Sequence, residues 1–173
     1  VAFSPDGQTV ATAAEHGGCW LWDVATGKQI GEPLIDREKT PGTHHVSFVD
    51  DGKSLITMNT DGPTQRWDLA SRTAVARLES NGPRRHCQAV SPDGRYFALA
   101  QRHWPWVELY DAMSLKPLAV LKGHFGDIQD LSFFPDSTIL ASASTDGEVR
   151  LWDVARYAAA EQEKSNSAPA AEK

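Results

Sequence analysis

The sequence predicts an all-β fold built from four copies of one four-stranded antiparallel unit, and three observations predict it. Four segments share one pattern: VAFSPDGQTVATAA (1–14), VSFVDDGKSLITMN (46–59), AVSPDGRYFALA (89–100) and LSFFPDSTILASAS (131–144). Each runs on to an aromatic residue followed by aspartate, Trp22-Asp23, Trp67-Asp68, Tyr110-Asp111 and Trp152-Asp153, at steps of 45, 43 and 42 residues. Between turns the segments alternate with period two, as in EVRLW (148–152), where Val149 and Leu151 share one face and Trp152 takes the other. A period of roughly 40–45 residues closing on Trp-Asp is the mark of a β-propeller blade.

Each element has a local reason. Ser4-Pro5-Asp6-Gly7 and Ser91-Pro92-Asp93-Gly94 put proline where a type I turn needs its φ fixed and glycine at the fourth position, so each joins the first two strands of a unit. Thr145-Asp146-Gly147 is a second hairpin turn, leading into the third strand. GEPL (31–34) is expected to form the last strand and exit turn of the first repeat. Both faces of a strand such as EVRLW carry large side chains because a blade is packed between two neighbours. The repeats are placed at about 1–34, 35–78, 79–121 and 122–157, and residues 158–173, rich in Ala, Glu and Lys, are expected to be a helical or disordered tail. One copy departs from the rest. In QRHWPWVELYD (101–111) the Asp-Gly turn has been replaced by Arg-His-Trp-Pro-Trp.

On these repeats the chain resembles a WD-repeat β-propeller over about 155 of its 173 residues. That resemblance implies a buried tetrad tying each blade together: the His of a Gly-His pair, a Ser or Thr on the second strand, the Asp of the second turn, and the Trp. The fourth repeat has all four, His124, Ser142, Asp146 and Trp152; the second keeps Thr57, Asp61 and Trp67; the first has Thr12 and Trp22 with His16 where Asp belongs. The third has lost the set, with Ala100, Trp104 and Tyr110 at three of the positions. A fully paired polar network inside a dry blade holds turn and register together, and stranding one of its buried groups costs about 1–3 kcal/mol. These residues are read as structural, not catalytic. The resemblance also implies a ring of about seven blades, closed by a strand from upstream of Val1, so that the remaining blades belong to a missing N-terminal part of the same chain. The regular SPDG turns are similar to those of bacterial propellers, in which the ring can follow a serine/threonine protein kinase domain. That leaves a regulatory or targeting propeller of a larger enzyme as the rival to a plain scaffold.

In this family the loops between second and third strands, and between blades, open on one face where partners bind. The unusual segments fall there: 30–45, the Arg84-Arg85-His86 cluster, and Arg102, His103, Trp104 and Trp106. Arg and Trp are the residue types most enriched at binding hot spots, so Arg84, Arg85, His86, Arg102, His103 and Trp104 are the candidate partner-binding residues. Trp104 has a competing reading as a cover for the gap left by the missing Asp. Trp106, at the start of a strand and in step with Glu108 and Tyr110, is expected in the core between blades.

Composition limits the alternatives. The net charge of −6 argues against a general nucleic-acid or anionic-membrane surface. Cys19 and Cys87 lie far apart with no CxxC spacing, so reduced, buried thiols and a cytoplasmic location are expected. His44-His45 is no chelate, since adjacent strand residues point to opposite faces. Nucleophile-elbow, P-loop and dinucleotide patterns are missing from the sequence, so no cofactor, metal or catalytic residue is assigned. The functional expectation is a non-catalytic scaffold that presents loops to a protein or peptide partner.

Overall fold

In the computed structural model, residues 1–14, 18–34, 43–59, 62–79 and 85–157 are described. The predicted sites His16, Asp61 and Arg84, the side chains of Arg85 and His86, and the tail 158–173 lie outside that description. Among the described residues the strands form four antiparallel sheets, one per repeat. The first holds β1 (Ala2–Phe3), β2 (Thr9–Ala14) and β3 (Gly18–Asp23); the second β4 (Thr43–Val49), β5 (Ser54–Asn59), β6 (Thr64–Asp68) and β7 (Thr73–Leu78). The third holds β8 (Arg85–Val90), β9 (Tyr96–Gln101), β10 (Trp106–Asp111) and β11 (Pro117–Lys122); the fourth β12 (Ile128–Phe133), β13 (Ile139–Ser144) and β14 (Val149–Asp153). Each sheet is a simple meander, as expected of consecutive hairpins. Among the described residues no helix is long and apolar enough to cross a membrane.

The turn between the first two strands is built by its own side chains. Gly7 donates its N–H to the Ser4 carbonyl at 2.9 Å and takes φ +69°, a conformation that costs glycine little. The Asp6 carboxylate accepts from the Ser4 hydroxyl and the Gln8 N–H, and Ser4 Oγ accepts from the Thr9 N–H. Ser91–Tyr96 repeats the same set. These turns also join the blades: the Asp93 N–H donates to Ser137 Oγ of the next turn at 3.1 Å.

The aspartates of the first three Trp-Asp or Tyr-Asp pairs make the turn that follows the third strand. Asp23 accepts from the N–H and hydroxyl of Thr26, Asp68 from those of Ser71, and Asp111 from those of Ser114, all between 2.5 and 2.8 Å. These bonds hold the Asp23 and Asp68 carboxyls below the usual range. In the fourth repeat Arg156 stands where the hydroxyl residue belongs, and Asp153 accepts only its N–H. There the chain enters a helical turn at 154–157 in place of a fourth strand. The expected strand at GEPL is also not regular. Gln29 makes a bridge to Trp22, and Ile30 and Leu34 donate to the carbonyls of Leu21 and Cys19, but Pro33, which has no N–H, interrupts any continuous ladder.

Packing follows one rule. The tryptophan face of each blade lies against the opposite face of the blade before it. Leu55 and Trp67 meet Ala11, Cys19 and Leu21; Phe97, Leu99 and Tyr110 meet Ile56 and Met58; Leu131, Leu140 and Trp152 meet Ala98, Val107 and Leu109. One face of each end blade is left over. Phe3 is 64% exposed in the first blade, and Val149 and Leu151 are 68% and 59% exposed in the fourth.

Candidate functional site

The fourth blade assembles its polar residues at one end of the sheet. Trp152 Nε1 donates to Ser142 Oγ at 2.9 Å, Ser142 Oγ lies 2.8 Å from His124 Nε2, and His124 Nδ1 lies 2.8 Å from Asp146 Oδ2. Since an indole nitrogen can only donate, the proton order runs from Trp152 through Ser142 and His124 to Asp146, each group donating once. His124 and Ser142 are buried. Asp146 also accepts the N–H groups of Phe125 and Glu148, both at 2.9 Å. These bonds, that of Phe125 foremost, hold its carboxyl far below the usual range. His124, Asp146 and Glu148 come within 4.8 Å of one another, but both ring nitrogens of His124 are already engaged, which leaves no imidazole lone pair for a cation.

The first two blades hold a shorter version of the same bond. Trp22 Nε1 donates to Thr12 Oγ1, and Trp67 Nε1 to Thr57 Oγ1, each at 2.9 Å. In the third blade the strand register corrects one assignment. Leu99, opposite Glu108, stands where Ser142 stands opposite Arg150; Ala100 belongs to the other face, in the core with Val107 and Leu109. A different network fills the space, with Glu108 Oε2 accepting from Gln101 Nε2 at 3.1 Å and from the Tyr110 hydroxyl at 3.2 Å.

The segment that replaces Asp-Gly is itself a turn. The Trp104 N–H bonds the Gln101 carbonyl at 3.3 Å, and His103 takes the left-handed place with φ +66°. Trp104 and Trp106 then stack at 4.8 Å between ring centroids, and Lys122, the strand partner of Trp106, sets its ammonium 5.9 Å from the Trp106 ring centre. Trp106 is therefore not where it was expected. It is half-buried and packs on Trp104 and Lys122 at the blade end, outside the buried clusters between blades.

Two loops of the fourth blade meet this turn. His103 Nδ1 lies 3.3 Å from Asp127 Oδ2, and the Thr145 N–H donates to the Asp127 carbonyl at 2.9 Å. Gly126 is pressed on the 145–146 turn so closely that a Cβ would lie 2.8 Å from the Asp146 nitrogen. Between them Phe125 projects its ring into solvent, 89% exposed, while its N–H is held on Asp146. Sequence reasoning missed Phe125. The available signal was the apolar residue directly after Gly123-His124, on a stretch tied down at both ends. Arg102, His103, Trp104 and Phe125 thus lie at one end of the third and fourth blades. Arg84 falls outside the described residues, and of Arg85 and His86 only the backbone, at the start of β8, is placed.

Comparison with known proteins matches the family described as WD domain, G-beta repeat to residues 1–23 and 115–153. The chain resembles WD-repeat proteins, and the WD repeat itself is matched over those two stretches. It is 27% identical over 155 residues to the Periodic tryptophan protein 2 homolog of Dictyostelium discoideum, a match covering 89% of this chain and 17% of the relative. It is 25% identical to Eukaryotic translation initiation factor 3 subunit I of Drosophila grimshawi, covering 86% of this chain and 49% of that one. It is also 27% identical to the SIR4-interacting protein SIF2 of Saccharomyces cerevisiae, covering 88% and 30%. The chain therefore spans less than half the length of each of these relatives. All three are eukaryotic, and neither the bacterial resemblance nor the kinase-linked alternative gains support from them.

Proposed function

We propose that this chain is a non-catalytic interaction module that takes a protein or peptide partner on the loop end of its third and fourth blades. The observation that carries the reading is Phe125. A phenylalanine left 89% exposed forgoes the burial that stabilises folding, yet its backbone is locked by Asp146 and by the close seat of Gly126. A rigid, exposed aromatic binds without the entropy cost of ordering a loop, and covering its ring contributes about 1.5–3 kcal/mol. Arg102, His103 and Trp104 flank it in this proposal, and Arg84, Arg85 and His86 are candidates for the same rim. The name of one relative, the SIR4-interacting protein, is that of a partner-binding protein.

The same proposal treats the repeats at about 1–34, 35–78, 79–121 and 122–157 as blades of a larger ring, with 158–173 as its tail. Its support is the uncovered faces at Phe3 and at Val149 and Leu151, which are the two halves of the packing seen between neighbouring blades. A reducing, cytoplasmic location fits Cys19 and Cys87, both buried and unpaired.

The test is site-specific photocrosslinking in the full-length protein. A partner crosslinked from position 145, exposed on the turn beside Gly126, but not from position 116, at the other end of the third blade, and lost with Phe125→Ala, supports the reading. Equal capture from both positions, or capture indifferent to Phe125→Ala, would overturn it.

A further inference from the structure

We infer that the segment bound at this end is an acidic peptide carrying a bulky apolar side chain; the inference rests on the proposed binding face and adds the chemistry of its ligand. It follows from how charge is distributed around Phe125. The carboxylates described at this end are already occupied. Asp127 faces His103 at 3.3 Å, and Glu148 pairs with Arg150 at 2.6 Å. Asp146 accepts from His124, Phe125 and Glu148, and Glu108 accepts from Gln101 and Tyr110. Arg102 and Lys122 are different. Both are exposed, and among the described residues neither has a carboxylate partner. In a chain with 23 acidic and 17 basic residues, cations without a carboxylate partner beside half-buried tryptophans and the exposed Phe125 run against the average.

The aromatics sit among those cations. Lys122 lies three residues before Phe125 and sets its ammonium over the Trp106 ring of the Trp104–Trp106 stack; Arg102 and Trp104 belong to one turn, held to the Phe125 loop through His103 and Asp127. Apolar anchors bordered by unpaired positive charge complement a peptide in which acidic residues flank a Phe, Leu or Trp. A basic partner would meet Arg102 and Lys122 with repulsion and find Asp127, Asp146, Glu148 and Glu108 already engaged. The two cations without a carboxylate partner described at this end, on a chain of net charge −6, are too few to bind a polyanion along its length.

The test uses the full-length protein and three fluorescent probes: a short peptide alternating Glu with Leu and Phe, the same peptide with Lys for Glu, and a single-stranded oligonucleotide. Binding is read by anisotropy at low and physiological salt, with Phe125→Ala and with the double variant Arg102→Glu, Lys122→Glu. The Glu peptide should bind more tightly than the Lys peptide, weaken with salt, and lose about tenfold or more in the charge-reversed variant. Equal affinity for the two peptides, tighter binding of the oligonucleotide, or indifference to charge reversal would overturn the inference. The two levels separate cleanly. If the crosslinked partner is lost with Phe125→Ala but keeps its affinity in the charge-reversed variant, the face stands and its acidic ligand falls; if neither variant changes partner binding, both fall.

Discussion

Replacing Ser142 by alanine deletes one oxygen atom and leaves two buried groups searching for partners. Ser142 is 1% exposed, and its hydroxyl accepts the Trp152 N–H and serves His124 Nε2. In the alanine variant Nε2 has no replacement within the blade, and a buried group so stranded costs about 1–3 kcal/mol. The Trp152 N–H belongs to a half-buried ring and can recover water in part, so it adds the low end of the same range, about 1 kcal/mol. The expected loss is therefore about 2–4 kcal/mol, felt first by the fourth blade, because repeat units open locally before the whole array does. Hydrogen exchange of the β13–β14 hairpin measures it directly, and amide exchange there should speed up by roughly thirtyfold or more, at about 1.4 kcal/mol per factor of ten. Ser132→Ala, an exposed position on β12, is the control and should shift exchange little. Ser142→Thr should retain most of the protection, since Thr12 and Thr57 make the same bond to their tryptophans at 2.9 Å. If Ser142→Ala exchanged like Ser132→Ala, the polar chain from Trp152 to Asp146 would contribute no stability and the reasoning would be wrong.

Other outcomes follow from the same geometry. Gly126→Ala drives a methyl group against the Asp146 backbone nitrogen, which cannot swing away as a side chain could, so it should destabilise by about 1–3 kcal/mol. Gly27→Ala meets no neighbour and strains only its φ of +65°; a melting temperature for Gly126→Ala no lower than for Gly27→Ala would contradict this. Burial pushes both cysteine thiols up to about 12, so they should resist maleimide near neutral pH until the protein unfolds. Because the folded state holds these protons more tightly than the unfolded one, their favourable contribution is complete below the ordinary thiol range and is lost as pH rises towards about 12. Denaturant titrations across that range should show stability falling with pH, and falling less when both cysteines are replaced by alanine.

The repeat period, the Pro-Asp-Gly turns and the alternation within strands were all legible in the sequence, because each is a local property: a turn needs its residues within four positions, and a strand shows its faces every second residue. The hydroxyl partners Thr12, Thr57 and Ser142 were legible for the same reason, each lying ten residues before its tryptophan. The third blade broke the count. Its 102–105 turn holds one residue more than the 145–147 turn, so ten residues before Tyr110 falls on Ala100 while the register selects Leu99, and one residue of slip moves a side chain to the opposite face. Trp106 was misplaced by a related cause. Its parity was right, but parity fixes a face and not how far along the blade the neighbouring sheet reaches.

The conserved-looking chemistry of Trp-Asp also divides between the two levels. The run Asp-x-x-Ser/Thr at 23–26, 68–71 and 111–114 is plain in the sequence, yet only the hydrogen bonds identify the aspartate as the residue that makes the turn after the third strand. What the sequence by itself determined is the repeated unit, since strands, turns and spacing are written in neighbouring residues. What only the tertiary structure decided is which surfaces remain free. Phe125 reads as one more apolar residue until Gly126 and Asp146 pin its loop outward, and Arg102 and Lys122 read as ordinary surface cations until Asp127, Asp146, Glu148 and Glu108 are found engaged with other groups. Exposure and unpaired charge are sums over neighbours brought together from distant parts of the chain, and no short stretch of sequence contains that sum.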